Sequence, residues 1–169
     1  GWNAGAREAN RAFRAKWQVD PALPSPPMTG RHLVDALKPF ITDDTTFLVD
    51  GGNIGQWAHQ LIADRYPPEW ITCGASGVVG WGIPGAMAAK LAFPDRPAIL
   101  LSGDGAIHFA ISDLESATRQ HIPFVVVVAD DSAWGIVVTE QRRAYGTDST
   151  IASSIGPVRY DLVAQGLGA

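Results

Sequence analysis

Gly103-Asp104-Gly105 and, beyond residues 106–129, Asp130-Asp131 are the residues whose types and spacing carry most of the chemistry in this chain. An apolar run, Ala98 to Leu101, stops at the Gly-Asp-Gly turn. A helical stretch follows, then the apolar run Phe124 to Val128, then the second acidic turn. Parallel strands joined by one crossover helix bring their carboxyl ends side by side, with the following loops on the same edge of the sheet. Open α/β sheets bind ligands in that crevice. Asp104 and Asp131, remote in sequence, are therefore expected to face each other there. Their oxygens, beside main-chain N–H groups left accessible by Gly103 and Gly105, suit a hard cation bridging a phosphate group.

The elements that must position these residues follow from pattern. Residues 4–17 read as a charged helix, with Ala6, Ala9, Phe13 and Trp17 on one side. The proline-rich run from Val19 to Met28 forms neither helix nor central strand. Residues 1–28 are thus expected to be a tail and linker from a preceding domain, and 29–169 the domain proper. Thr29 is placed to cap a helix over 30–40. Strands are predicted at 46–49, 70–72, 98–101 and 124–128, and helices at 53–66, 83–91, 107–119 and 134–145. The last strand has no polar interruption, which predicts cover on both of its faces. The alternation predicts an α/β fold, a doubly wound and mainly parallel sheet with helices on both faces.

Bulk composition narrows the function classes. The net charge is −4 with only 13 Lys and Arg, and no basic stripe points to nucleic acid. The longest apolar runs fall far short of the roughly 20 residues that cross a bilayer. The amino-terminal stretch is charged throughout, unlike a signal peptide. A single cysteine, Cys73, excludes an internal disulfide and agrees with a reducing compartment. A cytoplasmic location, with no nucleic acid and no membrane as partner, is the expectation. The 18 glycines crowd between Gly51 and Gly105, where they suggest close approach of backbone to a ligand.

The signature Gly103-Asp104-Gly105 … Asp130-Asp131 resembles that of thiamine-diphosphate-dependent enzymes. VDGGNIGQWAHQ (Val49 to Gln60) and WITCGASGVVGWGIPGAMAAKLA (Trp70 to Ala92) are similar to the two cofactor loops that precede it in acetolactate synthase and its relatives. The resemblance runs from about Thr29 to the last residue. It implies a pyrophosphate-binding domain of the acetolactate synthase and benzoylformate decarboxylase type, holding thiamine diphosphate through Mg²⁺ or Ca²⁺. It implies a 2-keto acid substrate such as pyruvate, decarboxylated or passed on by carboligation. It also implies that the cofactor-activating glutamate lies in a pyrimidine-binding domain of a second subunit, in a homodimer or homotetramer. No catalytic residue is then expected in this chain, which reads as a carboxy-terminal piece of a longer enzyme, cut short within a helix near 162–169. The piece alone is expected to be inactive.

Carried over residue by residue, the resemblance makes Asp104 and Asp131 the metal ligands, with the main-chain carbonyl of Ala133 as the third. Asp130 braces the loop. The main chain at Gly103, Gly105 and Ala106 approaches the diphosphate from one side, and Gly52, Asn53 and Ile54 from the other. Gly77 and Val79 belong to the loop beneath the cofactor rings, with Val79 as the apolar wedge. Trp134, Gly135 and Ile136 follow the second ligand. The chain departs from the family in four places: Asp131 where Asn is common, Asn53-Ile54 where Gln-His is frequent, a small wedge at Val79, and Glu140 where acetolactate synthases often carry Trp. The departures at Asp130-Asp131, Ile54 and Val79 leave room for a degenerate cofactor-binding or assembly domain, and Glu140 counts against acetolactate synthase in particular. A nicotinamide-binding fold using Gly74 to Gly80 is a further alternative, although the glycine spacing is not G-x-G-x-x-G.

Overall fold

The computed structural model describes residues 1–16, 28–62 and 69–169. The predicted proline linker and the helix stop at Pro67-Pro68 lie outside the described residues. Helix α1 (Trp2–Lys16) matches the predicted charged helix and buries none of its residues. Helix α2 (Gly30–Leu37) starts after Thr29, whose N–H donates to His32 Nδ1 at 3.1 Å. This tie closes the first turn, as a capping box does, and gives His32 a structural role. Pro39 then tightens the chain into a short 3-10 turn over 38–40.

Strand β1 (Thr46–Asp50) is buried along its whole length. It is followed by α3 (Gly52–Ile62), β2 (Glu69–Thr72), α4 (Gly82–Ala92) and β3 (Ala98–Gly103). The short α5 (Asp104–Ile107) and α6 (Asp113–Arg119) lead to β4 (Val125–Ala129), then α7 (Gly135–Tyr145) and α8 (Tyr160–Gly166). All strand pairs are parallel, in the order β2-β1-β3-β4. Alternation along the central strands divides the core into two layers. Phe47, Val49, Ile99 and Leu101 pack with Val34, Leu37, Ala58 and Leu61 of α2 and α3. Leu48 and Leu100 pack on the opposite face with Ile83, Ala86, Ile107, Leu114 and Tyr160. The doubly wound expectation holds.

One expectation needs correction, and another is met only at partial burial. The crossover is not one helix over 107–119. It begins at Asp104, directly after an extended Gly103, and breaks at 108–112. There the N–H groups of Phe109, Ala110 and Asp113 bond three residues back, to Ala106, Ile107 and Ala110. This tighter winding turns the chain off the strand end before α6 restarts with Asp113 and Glu115 in its first turn. The strand at 124–128 does pack on both core layers, Val127 on one and Phe124, Val126 and Val128 on the other, but it is only half-buried. Strand β4 pairs with β3 alone among the described residues, and Val125 is 56% exposed. The unbroken apolar run therefore marks a strand with cover on both faces that stays half-buried because it lies at the sheet edge.

Leu100 is fully buried between the layers. Leu100→Ala is expected to destabilise the chain by about 3 kcal/mol, against less than about 1 kcal/mol for Val125→Ala at the exposed edge. Urea unfolding of both variants checks the contrast.

Candidate functional site

The strand order reverses between β1 and β3. From β1 the chain leaves toward α3 on one face, and from β3 toward α5 on the other, so their loops part above the carboxyl ends. This is the topological switch point at which such sheets bind ligands. The two loops touch at their roots. A Cβ on Gly51 (φ +137°) would stand 2.9 Å from the Gly103 nitrogen, which only glycine tolerates at that backbone geometry.

Asp104 opens α5 and is only 3% exposed. Its Oδ2 accepts the Ala133 N–H at 3.0 Å, linking the β3 turn to the β4 turn. Burial pushes its carboxyl above the usual carboxylate range. The Gly105 amide opposes this, and the negative charges of Asp131 and Asp130 add to it. Asp130 braces its own loop as expected: Oδ1 accepts the Ser132 N–H at 2.8 Å and the Ser132 hydroxyl at 3.1 Å. That brace holds Ser132 in the left-handed region (φ +54°). Asp131 Oδ2 accepts from Asn53 Nδ2 at 3.3 Å, so the β1 and β4 loops are bonded across the crevice.

Glycines let the three loops close on one another. A Cβ on Gly52 would meet Ile136 at 2.9 Å, one on Gly105 the Trp134 indole at 2.8 Å, and one on Gly135 the Asp131 carboxylate at 2.2 Å. Gly52, Asn53, Gly103, Asp104, Gly105, Asp131, Ala133, Trp134, Gly135 and Ile136 are thus gathered around one crevice. Ile54 and Ala106 are buried at 6% and 3%, so their side chains serve the core and only their main chain is left to a ligand. Gly77, left-handed at φ +64°, and half-buried Val79 stand on a separate loop. That loop joins the site through Gly80, whose Cβ would lie 2.4 Å from Phe109. The Phe109 ring in turn pairs with Trp134 at 5.9 Å.

Three residues escaped sequence reasoning. Tyr160, 8% exposed, bonds His108 Nε2 through its hydroxyl at 3.0 Å. Burial, then the charges of Asp104 and Asp130, push its phenol up to about 12. It reaches the site from the far end of the chain, and no local pattern marks it. Gln141 ties α7 to the loop at 151–153, accepting from Ile151 N–H at 3.1 Å and from the Ser153 hydroxyl at 3.0 Å. Asp50 looks in sequence like a plain strand end, yet it is buried and accepts N–H groups from Gly80 and Gly82. By contrast Glu140 sits in an exposed ion pair with Arg143.

The donor set suits a hard divalent cation. Asp104 and Asp131 offer carboxyl oxygens; burial, and after it the charges of Asp131 and Asp130, raise the Asp104 carboxyl, and a cation beside it would offset the repulsive part. No cluster of three or more His, Cys, Asp and Glu side chains is arranged for a metal among the described residues. A hard cation held by these two carboxyls would need phosphate oxygens, water or main-chain carbonyls to complete its shell.

Comparison with known proteins agrees with this geometry. Residues 50–169 match the family described as thiamine pyrophosphate enzyme, C-terminal TPP binding domain. The chain is 33% identical to human 2-hydroxyacyl-CoA lyase 2, over 99% of its own length and 26% of that protein's. It is 32% identical to the acetolactate synthase large subunit IlvG of Mycobacterium tuberculosis, over 89% of the chain and 27% of the relative. A solved structure, the thiamine diphosphate-dependent 4-hydroxybenzoylformate decarboxylase of Rhodococcus jostii, shares the fold with a TM-score of 0.76 at 23% identity. It covers 89% of this chain and 28% of that one. The chain spans about a quarter of the length of these relatives. Its parallel sheet, its loops at the switch point and its match over 50–169 together show that the chain belongs to the thiamine pyrophosphate enzymes, as their C-terminal cofactor-binding domain.

Proposed function

We propose that this domain holds thiamine diphosphate through Mg²⁺ or Ca²⁺ in an enzyme that decarboxylates a 2-keto acid such as pyruvate and transfers the resulting acyl unit, in the manner of acetolactate synthase. The observation that carries this reading is the Asp104 and Asp131 pair at the switch point, with Asn53 bonded across it. When bound, the cofactor supplies an electron sink for the carbon–carbon bond that is made or broken.

The residues of this chain do the holding. Asp104 and Asp131 give anionic oxygens to the cation, and Ala133 adds its carbonyl. The main chain of Gly103, Gly105 and Ala106 grips the diphosphate from the β3 side, and that of Gly52, Asn53 and Ile54 from the β1 side. Gly77 and Val79 support the ring end, while Trp134, Gly135 and Ile136 close the α7 side. The acid that activates the cofactor belongs to the pyrimidine-binding domain of a second subunit, in a homodimer or homotetramer. The fitted oxygen set speaks against a degenerate assembly domain, and the family assignment removes the nicotinamide alternative.

Glu140 favours a second reading. Its exposed pair with Arg143 stands where acetolactate synthases often carry Trp, which leaves open the cleavage of a 2-hydroxyacyl-CoA, named for one relative. Supplying the intact enzyme with pyruvate or with a 2-hydroxyacyl-CoA, and following CO₂ and aldehyde release, separates the two.

Two outcomes are expected for the chain itself. In calorimetric titration, thiamine diphosphate binds with Mg²⁺ present and not with chelator, and Asp104→Ala abolishes binding. Asp131→Asn keeps it within about threefold, because the amide oxygen still serves a hard cation. Equal affinity with and without chelator contradicts the metal assignment. Second, the purified chain alone releases no CO₂ from pyruvate above the rate with free cofactor. Turnover above that background contradicts an activating acid supplied from elsewhere.

A further inference from the structure

Asp50 is a buried carboxylate that the grip on metal and diphosphate leaves unused. It ends β1 at 2% exposure. Both of its oxygens accept the Gly80 N–H, at 3.2 and 3.0 Å, and Oδ2 also accepts the Gly82 N–H at 2.8 Å. The desolvation that raises its carboxyl is opposed by the amides of Gly82, Gly80 and Trp81. The main-chain donors that converge on it need acceptor oxygens, which a carboxyl at this position supplies.

The turn it receives is pressed home on every side. A Cβ on Gly82 would lie 2.8 Å from the Asp50 Cβ and 2.7 Å from Leu100. One on Gly80 (φ +88°) would lie 2.4 Å from Phe109, and one on Gly85 would lie 2.6 Å from the Trp81 ring. On the other side of the turn, the segment from Gly74 to Val78 is exposed. Its 3-10 turn is closed by local bonds, Ser76 Oγ to the Cys73 carbonyl and the Gly74 N–H to Thr72 Oγ1. Asp50 is thus the buried anchor at the foot of the exposed loop that carries residues 77–79.

We infer that Asp50 is a positioning residue: through Gly80 and Gly82 it sets where Val79 stands beneath the ring end of bound thiamine diphosphate, leaving the diphosphate and its cation to Asp104 and Asp131. The identity of the ligand rests on the function proposed above; the clamp does not. An Asn in its place keeps the shape but turns an amide NH₂ toward N–H groups that need an acceptor.

The test uses the full chain with Asp50→Asn and two probes, thiamine diphosphate and inorganic pyrophosphate, each titrated with Mg²⁺. The variant is expected to lose about tenfold in affinity for thiamine diphosphate, the scale of one charge-assisted hydrogen bond, and to bind pyrophosphate as the wild type does. Amide hydrogen exchange should quicken by about tenfold or more at Gly80 and Gly82 while β3 amides stay protected. An undiminished preference for thiamine diphosphate over pyrophosphate overturns the inference. So does an equal loss for both probes, the mark of a merely structural role. If Asp50→Asn does not fold, Gly82→Ala displaces the same junction from the loop side, and it must lose the same preference or the inference fails. Wild-type chain that binds neither probe contradicts the proposed function instead, and amide exchange then decides whether Asp50 holds the turn.

Discussion

The contact between Gly51 and Gly103 is the constraint around which this domain is arranged. Strands β1 and β3 run side by side to the same edge, so their exits collide unless Gly51 carries no side chain and the two leave toward opposite faces. That parting sends α3 onto the layer shared with α2, and α5 onto the layer shared with α4 and α8. The gap opened between the exits is the crevice. Everything that lines it is delivered by a loop whose root is fixed by a hydrogen-bonded strand, so a parallel sheet converts strand register into placement of ligand groups.

At that edge the protein buries two carboxylates one strand apart and treats them oppositely. Asp50 is surrounded by donors from the Gly80 to Gly82 turn and is satisfied within the fold. Asp104 has main-chain donors from Gly105 and Ala133, but it faces two further acids, Asp130 and Asp131. Burial raises both groups, yet only Asp104 has neighbouring negative charge that a cation would relieve. The same residue type near adjacent strand ends is satisfied by main-chain donors in one place and set beside further acids in the other.

The second acidic turn is held from several directions at once. Asp130 fixes Ser132 in a left-handed conformation, and Ala133 bridges antiparallel to Ser154. The Trp134 N–H reaches the Ser153 carbonyl at 2.8 Å, and Gln141 fastens the adjoining residues to α7. Asp131 is thereby presented by a loop of little freedom, which suits a ligand that must meet a cation without reorganising.

Much of this was legible in the sequence because it is local. Apolar runs ending at Gly or Asp marked the strand exits, alternation of strand and helix implied a parallel sheet, and a parallel sheet brings Asp104 and Asp131 to one edge whatever the details of packing. Glycine positions told where backbones meet. The extent of burial was not legible: Phe124 to Val128 packs on both core layers, yet it stays half-buried because β4 pairs with β3 alone among the described residues. The break in the crossover at 108–112 was hidden as well, because the angle at which the chain leaves β3 is set by packing against α4 and β4. The roles of Asp50, Gln141 and Tyr160 lay beyond any local pattern, since each acts through partners far along the chain. Residue type and order determined which groups could serve a cation and a diphosphate. Only the tertiary structure decided which acids are satisfied within the fold and which stand beside other acids, because a carboxylate's surroundings are the donors and charges that folding brings around it.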